Sequence, residues 1–134
     1  MGALQEILLV DSHRAFRRAV RETIVRRCPG VVVLEAHSGE DAIRKVERHR
    51  PGLIFTDIDI PGCRVLDLLQ RIREAHPAAT IVVLTSYDLP EYREAALARG
   101  ADHFISKAAS KGSTIATIVA AGLLTANDKP KRKD

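Results

Sequence analysis

The chain of 134 residues has no tryptophan, two cysteines, one methionine, three phenylalanines and two tyrosines. Cys28 and Cys63 stand far apart without C-x-x-C spacing, which excludes a disulfide framework and a cysteine metal knuckle, so both are read as free thiols. No apolar run approaches the length that crosses a bilayer, and "MGALQEILLV" lacks the basic start and cleavage site of a signal peptide. The expectation is a cytoplasmic protein with no membrane partner. Its five histidines are scattered without recognisable ligand spacing, which argues against a structural metal. No linker or internal repeat divides the chain, and at this length one core is expected rather than two marginal ones.

What is present is ordinary globular composition, 46% hydrophobic and 28% charged, which disfavours disorder, collagen and coiled coil. The net charge of +4 is uneven. Arg14, Arg17, Arg18, Arg21, Arg26 and Arg27 crowd one segment, and Lys129, Lys131, Arg132 and Lys133 crowd the end. Such clusters favour acidic partners, although the arginine segment reads first as a solvated helix face. The segment 125–134 reads as a disordered basic tail. It has no interleaved aromatics, so it is not read as a nucleic-acid site.

Five β-branched runs recur: "EILLV" (6–10), "VVVLEA" (31–36), "LIFT" (53–56), "TIVVLT" (80–85) and "HFIS" (103–106). Most are solidly apolar rather than alternating, as in strands covered on both faces of a parallel sheet. Between them lie helical spacings: Phe16, Val20, Ile24; then Ala42, Ile43, Val46; then Val65, Leu66, Leu68, Leu69, Ile72. A fourth helix is expected over 90–99 and a fifth over 110–123. Ser38 with Asp41 resembles a capping box, Pro90 suits a first helical turn and Gly100 suits a C-terminal cap. Strand and helix thus alternate five times, which predicts right-handed crossovers and helices on both faces of one parallel sheet.

In such a sheet ligands sit at the carboxyl ends of the strands. The polar residues there are Asp11 after the first strand, Asp57 after the third, Thr85 after the fourth and Lys107 after the fifth. A lone carboxylate in a strand-end loop is most often a turn or cap residue. Four such groups on one edge have a chemical logic instead. Two carboxylates repel unless a cation lies between them, so the pair favours a divalent ion such as Mg²⁺. A carboxylate beside that ion can attack a phosphoryl group and become an aspartyl phosphate. Lys107 and the Thr85 hydroxyl would then meet the phosphoryl oxygens.

"VDSHRAFR" (10–17), "TDIDIPG" (56–62), "VVLTSYD" (82–88) and "GADHFISK" (100–107) resemble the receiver domains of bacterial two-component response regulators. The wording "VDxHxxFR" and "GADHFISK" is most similar to receivers of LuxR/NarL-type regulators, which precede a helix-turn-helix domain. The resemblance spans roughly 5–124, and residues 1–124 are assigned to one receiver domain. It implies a flavodoxin-like doubly wound (βα)5 fold with strand order 2-1-3-4-5, which sets the first and third strands side by side. It also implies that Asp57 accepts phosphate from a sensor histidine kinase or phosphotransfer protein. Asp11, Asp57 and the backbone carbonyl of Asp59 would hold Mg²⁺, Lys107 would pair with the phosphoryl group, and Thr85 and Phe104 would form the switch. The output surface would be helix four, strand five and helix five. The chain is expected to be a stand-alone receiver or one excised from a longer regulator with a DNA-binding output domain. A second copy of the chain is a candidate partner.

Three positions depart from the family pattern. Ser12 stands where a second acid is usual, which predicts weaker Mg²⁺ binding and slower phosphorylation; by itself Ser12 reads as the cap of the first helix. Val65 stands where glycine is common and tolerates positive φ poorly, and Ala108 replaces a frequent cis-proline. Two rivals remain. "DIDIP" resembles the D-x-D pair of haloacid dehalogenase-type phosphatases, although that pair normally follows the first strand. Ser12 keeps open a pseudo-receiver that binds partners without taking phosphate. The expectation is a signalling switch rather than an enzyme.

Overall fold

Burial on both sides shapes the centre of the molecule: all of Leu53–Asp57 is inaccessible, as is Ile7–Val10. The structure is a computed structural model that describes residues 6–86 and 89–107. Among these, strands and helices alternate as β1 (Glu6–Val10), α1 (Arg14–Arg27), β2 (Val32–Ala36), α2 (Gly39–His49), β3 (Leu53–Asp57), α3 (Val65–Ala75), β4 (Thr80–Thr85), α4 (Pro90–Ala98) and β5 (His103–Ser106). The sheet is parallel throughout, in the order β2-β1-β3-β4-β5. The expected topology is thus observed. The expected fifth helix, the bond between Lys107 and Ala108, the boundary at 124 and the tail 125–134 lie outside the described residues.

Strand side chains alternate between two apolar layers, because successive residues point to opposite faces. Ile7, Leu9, Leu53, Phe55, Val82 and Leu84 pack with Val20 and Ile24 of α1. Leu8, Val10, Ile54, Ile81, Val83 and Phe104 pack against α2, α3 and Ala96 of α4. Each large side chain so buried contributes ~1.5–3 kcal/mol of transfer free energy, enough in sum to offset charged groups held at the sheet's rim.

The ends of the elements follow their local chemistry. Ser38 Oγ accepts the N–H of Asp41 at 3.2 Å, and Pro90 opens α4, both as expected. Gly100 (φ +117°) ends α4, and a side chain there would meet Arg73 at 3.2 Å. The first helix corrects one expectation: its N-cap is His13, not Ser12, and no side chain caps it. Just before it, the Asp11 carboxylate accepts the His13 N–H at 2.8 Å from two residues back, which sets the turn into the helix and satisfies one of its donors. Two strand limits move by one residue. Val31 belongs to the turn after α1, its N–H bonded to Cys28 O at 3.2 Å, and Asp57 is still paired with Leu84 at the end of β3. Val65 is unstrained: it starts α3 and is buried, while the positive φ of that loop falls on Gly62 at +73°.

Candidate functional site

Sheet order and register bring the polar residues together. β1 and β3 are neighbours with Val10 opposite Thr56, so the residues that follow, Asp11 and Asp57, emerge side by side. Asp11 N–H continues the ladder to Ala36 O at 3.0 Å, and Lys107 N–H continues the other ladder to Thr85 O at 2.7 Å. Both backbones are therefore fixed before any side chain acts. Asp11 and Asp57 are each only 3% exposed. Two buried carboxylates with oxygens within 4.8 Å of one another repel, and the cation that relieves them is Lys107.

Lys107 Nζ reaches across the end of β4 and lies 2.7 Å from Asp11 Oδ2 and 3.0 Å from Asp57 Oδ2. It also stands 4.3 Å from the centre of the Phe16 ring, whose face attracts a cation. Burial works to depress its pKa, but the hydrogen bonds to Asp11 and Asp57 and their charges outweigh it, and the value is raised above 10.5. The lysine stays charged. The three groups together keep one net negative charge, which suits a divalent cation.

The remaining acceptor oxygens are also engaged. Asp57 Oδ1 accepts the N–H of Asp59 at 3.1 Å. Asp59 itself is exposed, so its amide rather than its carboxylate is the group that reaches Asp57. This and the position of Asp57 on the third strand disfavour the D-x-D phosphatase reading. Thr85 is fully buried as the last residue of β4, opposite Ser106. Phe104 is 4% exposed, turned into the layer of α2, α3 and α4, with the Arg93 guanidinium 5.2 Å from its ring centre. All the residues expected at the site lie at or near this one edge.

One group was not expected. His13 Nδ1 lies 3.1 Å from Asp11 Oδ1 and 3.7 Å from Asp57 Oδ2, and donors of Asp11, His13 and Asp57 all fall within 4.8 Å of one another. The expectation of histidines without ligand spacing is therefore corrected. The signal was the D-x-H at 11–13, which acquires meaning only once the strand end turns into a helix there. The arginine segment is corrected in part as well. Arg17 and Arg21 fold onto Glu35 of β2 at 2.9 and 3.2 Å, and Arg17 Nη1 also donates to Asp11 O at 2.6 Å. The hydrogen bond from Arg17 is the main influence on Glu35, whose pKa is lowered despite burial. Arg17 thus braces the loop that carries Asp11. Burial pushes the Cys63 thiol up, in keeping with an unreactive loop cysteine.

A family model described as response regulator receiver domain matches residues 7–119. The transcriptional activator protein ExaE of Pseudomonas putida is 35% identical over 104 residues, 78% of this chain and 49% of that protein. The nitrate/nitrite response regulator protein NarL of Escherichia coli K12 is 37% identical over 101 residues, 75% of this chain and 47% of that protein. The chain spans about half the length of these relatives. A response regulator from Burkholderia pseudomallei, solved with a phosphorylated aspartic acid, calcium ion and citrate, superposes with a TM-score of 0.78 at 25% identity, covering 92% of this chain and 69% of that one.

Proposed function

Since the chain belongs to the response regulator receiver domains of two-component systems, we propose that Asp57 is its phosphoacceptor and that phosphorylation there switches the α4–β5 face. The observation that carries this reading is the environment of Asp57: a carboxylate 3% exposed at the end of the central strand, held by Lys107 Nζ at 3.0 Å and the Asp59 N–H at 3.1 Å, with Asp11 beside it.

The chemistry follows from those contacts. The two hydrogen bonds, one to each oxygen, fix the Asp57 rotamer and leave lone pairs for attack on phosphorus. An O–P bond forms as the P–N bond to a donor phosphohistidine breaks, and the donor imidazole leaves. Lys107 then turns its charge to the new non-bridging oxygens, a stronger partner for it than one carboxylate oxygen. Thr85 at the end of β4 supplies a hydroxyl to the phosphoryl group. Phe104, stacked beneath Arg93 of α4, is placed to pass that change from β5 to α4.

The donor set fits a hard divalent ion: two buried carboxylates with one net negative charge left after Lys107. Asp11, Asp57 and the Asp59 carbonyl would hold Mg²⁺, which supplies charge neutralisation of the phosphoryl oxygens. The partners proposed are a sensor histidine kinase or phosphotransfer protein as donor, a DNA-binding output domain as in the longer relatives, and a second copy of the chain. Phosphorylation is then stoichiometric signalling in the cytoplasm rather than turnover of a substrate. Among the described residues no helix is long and apolar enough to cross a membrane.

Intact-mass measurement after acetyl phosphate and Mg²⁺ tests the acceptor. One phosphoryl adduct is expected on the wild type and none on Asp57→Asn. An unmodified wild type, or an adduct that survives in Asp57→Asn, overturns the assignment.

A further inference from the structure

Position 12 carries a hydroxyl, and an imidazole, that of His13, stands within 4.8 Å of the two carboxylates. Asp11 divides its oxygens: Oδ2 faces Lys107 at 2.7 Å, whereas Oδ1 faces His13 Nδ1 at 3.1 Å. His13 Nδ1 is also 3.7 Å from Asp57 Oδ2. Two donors bound ~2.1 Å from one metal stand ~3.0–3.4 Å apart, so the first separation already suits a shared ion and the second needs only a small side-chain turn. The His13 side chain is 64% exposed and makes no helix cap, so nothing else on its own helix claims the ring.

We propose that Asp11, His13 and Asp57 form a mixed imidazole–carboxylate site, in which His13 Nδ1 takes the place of a second loop carboxylate and shifts metal preference from Mg²⁺ towards borderline ions such as Co²⁺ and Zn²⁺. This rests on the acceptor pocket described above. Mg²⁺ is a hard ion that takes oxygen donors and keeps its waters, so an imidazole adds little for it. Nitrogen donors suit the later divalent metals, whose affinities rise along the first row. On Asp11, Lys107 can keep Oδ2 while an ion takes Oδ1 and His13 Nδ1; on Asp57 the ion shares Oδ2 with Lys107, an oxygen with lone pairs for both. The chain would then sense or use a metal other than the one its carboxylates alone would select.

Alanine is a clean probe, because the structural bond at this position is the backbone N–H to Asp11 Oδ1 at 2.8 Å, which His13→Ala keeps. Co²⁺ binding is followed by visible absorption and calorimetry on wild type, His13→Ala and Asp11→Asn, with Mg²⁺ as competitor to isolate this site from other histidines. The expected result is a loss of roughly tenfold or more in Co²⁺ affinity in His13→Ala, with Mg²⁺ affinity changed less than about threefold. Asp11→Asn should weaken both ions. An unchanged Co²⁺ to Mg²⁺ ratio in His13→Ala overturns the mixed site. If Asp57 still takes phosphate by mass in that case, only the metal preference falls. A wild type that binds neither ion and takes no phosphate overturns both.

Discussion

Asp11, Asp57 and Lys107 are three charges in a nearly closed space, and their balance governs what each can do. With one net negative charge, the pocket attracts a divalent ion less strongly than it would with a further carboxylate at position 12. Ser12→Asp should therefore raise Mg²⁺ affinity by roughly tenfold, about 1.4 kcal/mol, read by calorimetry. The same variant should also bring the Mg²⁺ and Co²⁺ affinities together. Unchanged Mg²⁺ binding would mean that charge does not limit the site. At this scale the carboxylates, Thr85 and Lys107 were legible because each closes an apolar run, and strand ends of a parallel sheet share one edge. His13 was not. A single imidazole carries no periodicity, and its ring meets Asp57 only through a turn that Asp11 itself imposes.

Helices and strands are tied at the opposite end of the sheet by Arg73, in the last turn of α3. Its guanidinium donates to Pro77 O at 2.9 Å, Ala79 O at 2.5 Å, Gly100 O at 2.6 Å and the Asp102 carboxylate at 2.8 Å. Asp102 also accepts the N–H of Ile81 at 2.8 Å, so one ion pair fastens the starts of β4 and β5 to α3. Both side chains are 15% exposed. Arg73→Ala should cost roughly 2–4 kcal/mol, because it takes the arginine charge from a largely buried carboxylate and a hydrogen bond from three carbonyls. Arg73→Lys should recover only part, since one ammonium cannot span the same acceptors. Urea midpoints check this, and a loss below about 1 kcal/mol would show the joint to be dispensable. Caps and turns made the element limits legible: Ser38, Pro90 and Gly100 mark them in the sequence. Arg73 was silent because a basic residue in a last helical turn is also what the helix dipole favours. Only the tertiary fold reveals its other acceptors.

For the whole molecule, the apolar runs announced a parallel sheet with the site at one edge, since strands buried on both faces leave few other arrangements. The electrostatic cost of closing the opposite end was hidden. His76 caps α3, is 9% exposed, and has its pKa lowered from 6.5, first by burial and then by the charge of Arg50, with Arg73 adding to it and the carbonyls of Pro51 and Arg50 opposing. The folded ring is thus neutral at a pH where the unfolded ring takes a proton. Below pH 6.5 the unfolded chain binds the extra proton, so stability falls as the solution is acidified until the lowered folded value is reached. One proton gives a slope of at most ~1.4 kcal/mol per pH unit. Asp41 and Glu35, whose values are lowered from 3.8 and 4.5, contribute stability that is lost only as the pH falls below those values. Between about 4.5 and 6.5 those two carboxylates are past their transitions, and a comparison with a variant lacking the ring reads the His76 contribution. Unfolding free energies of wild type and His76→Leu, taken in urea from pH 7 to pH 5, should differ progressively in favour of the variant as the pH falls. A constant difference across that interval would mean that the buried imidazole takes up its proton without unfolding.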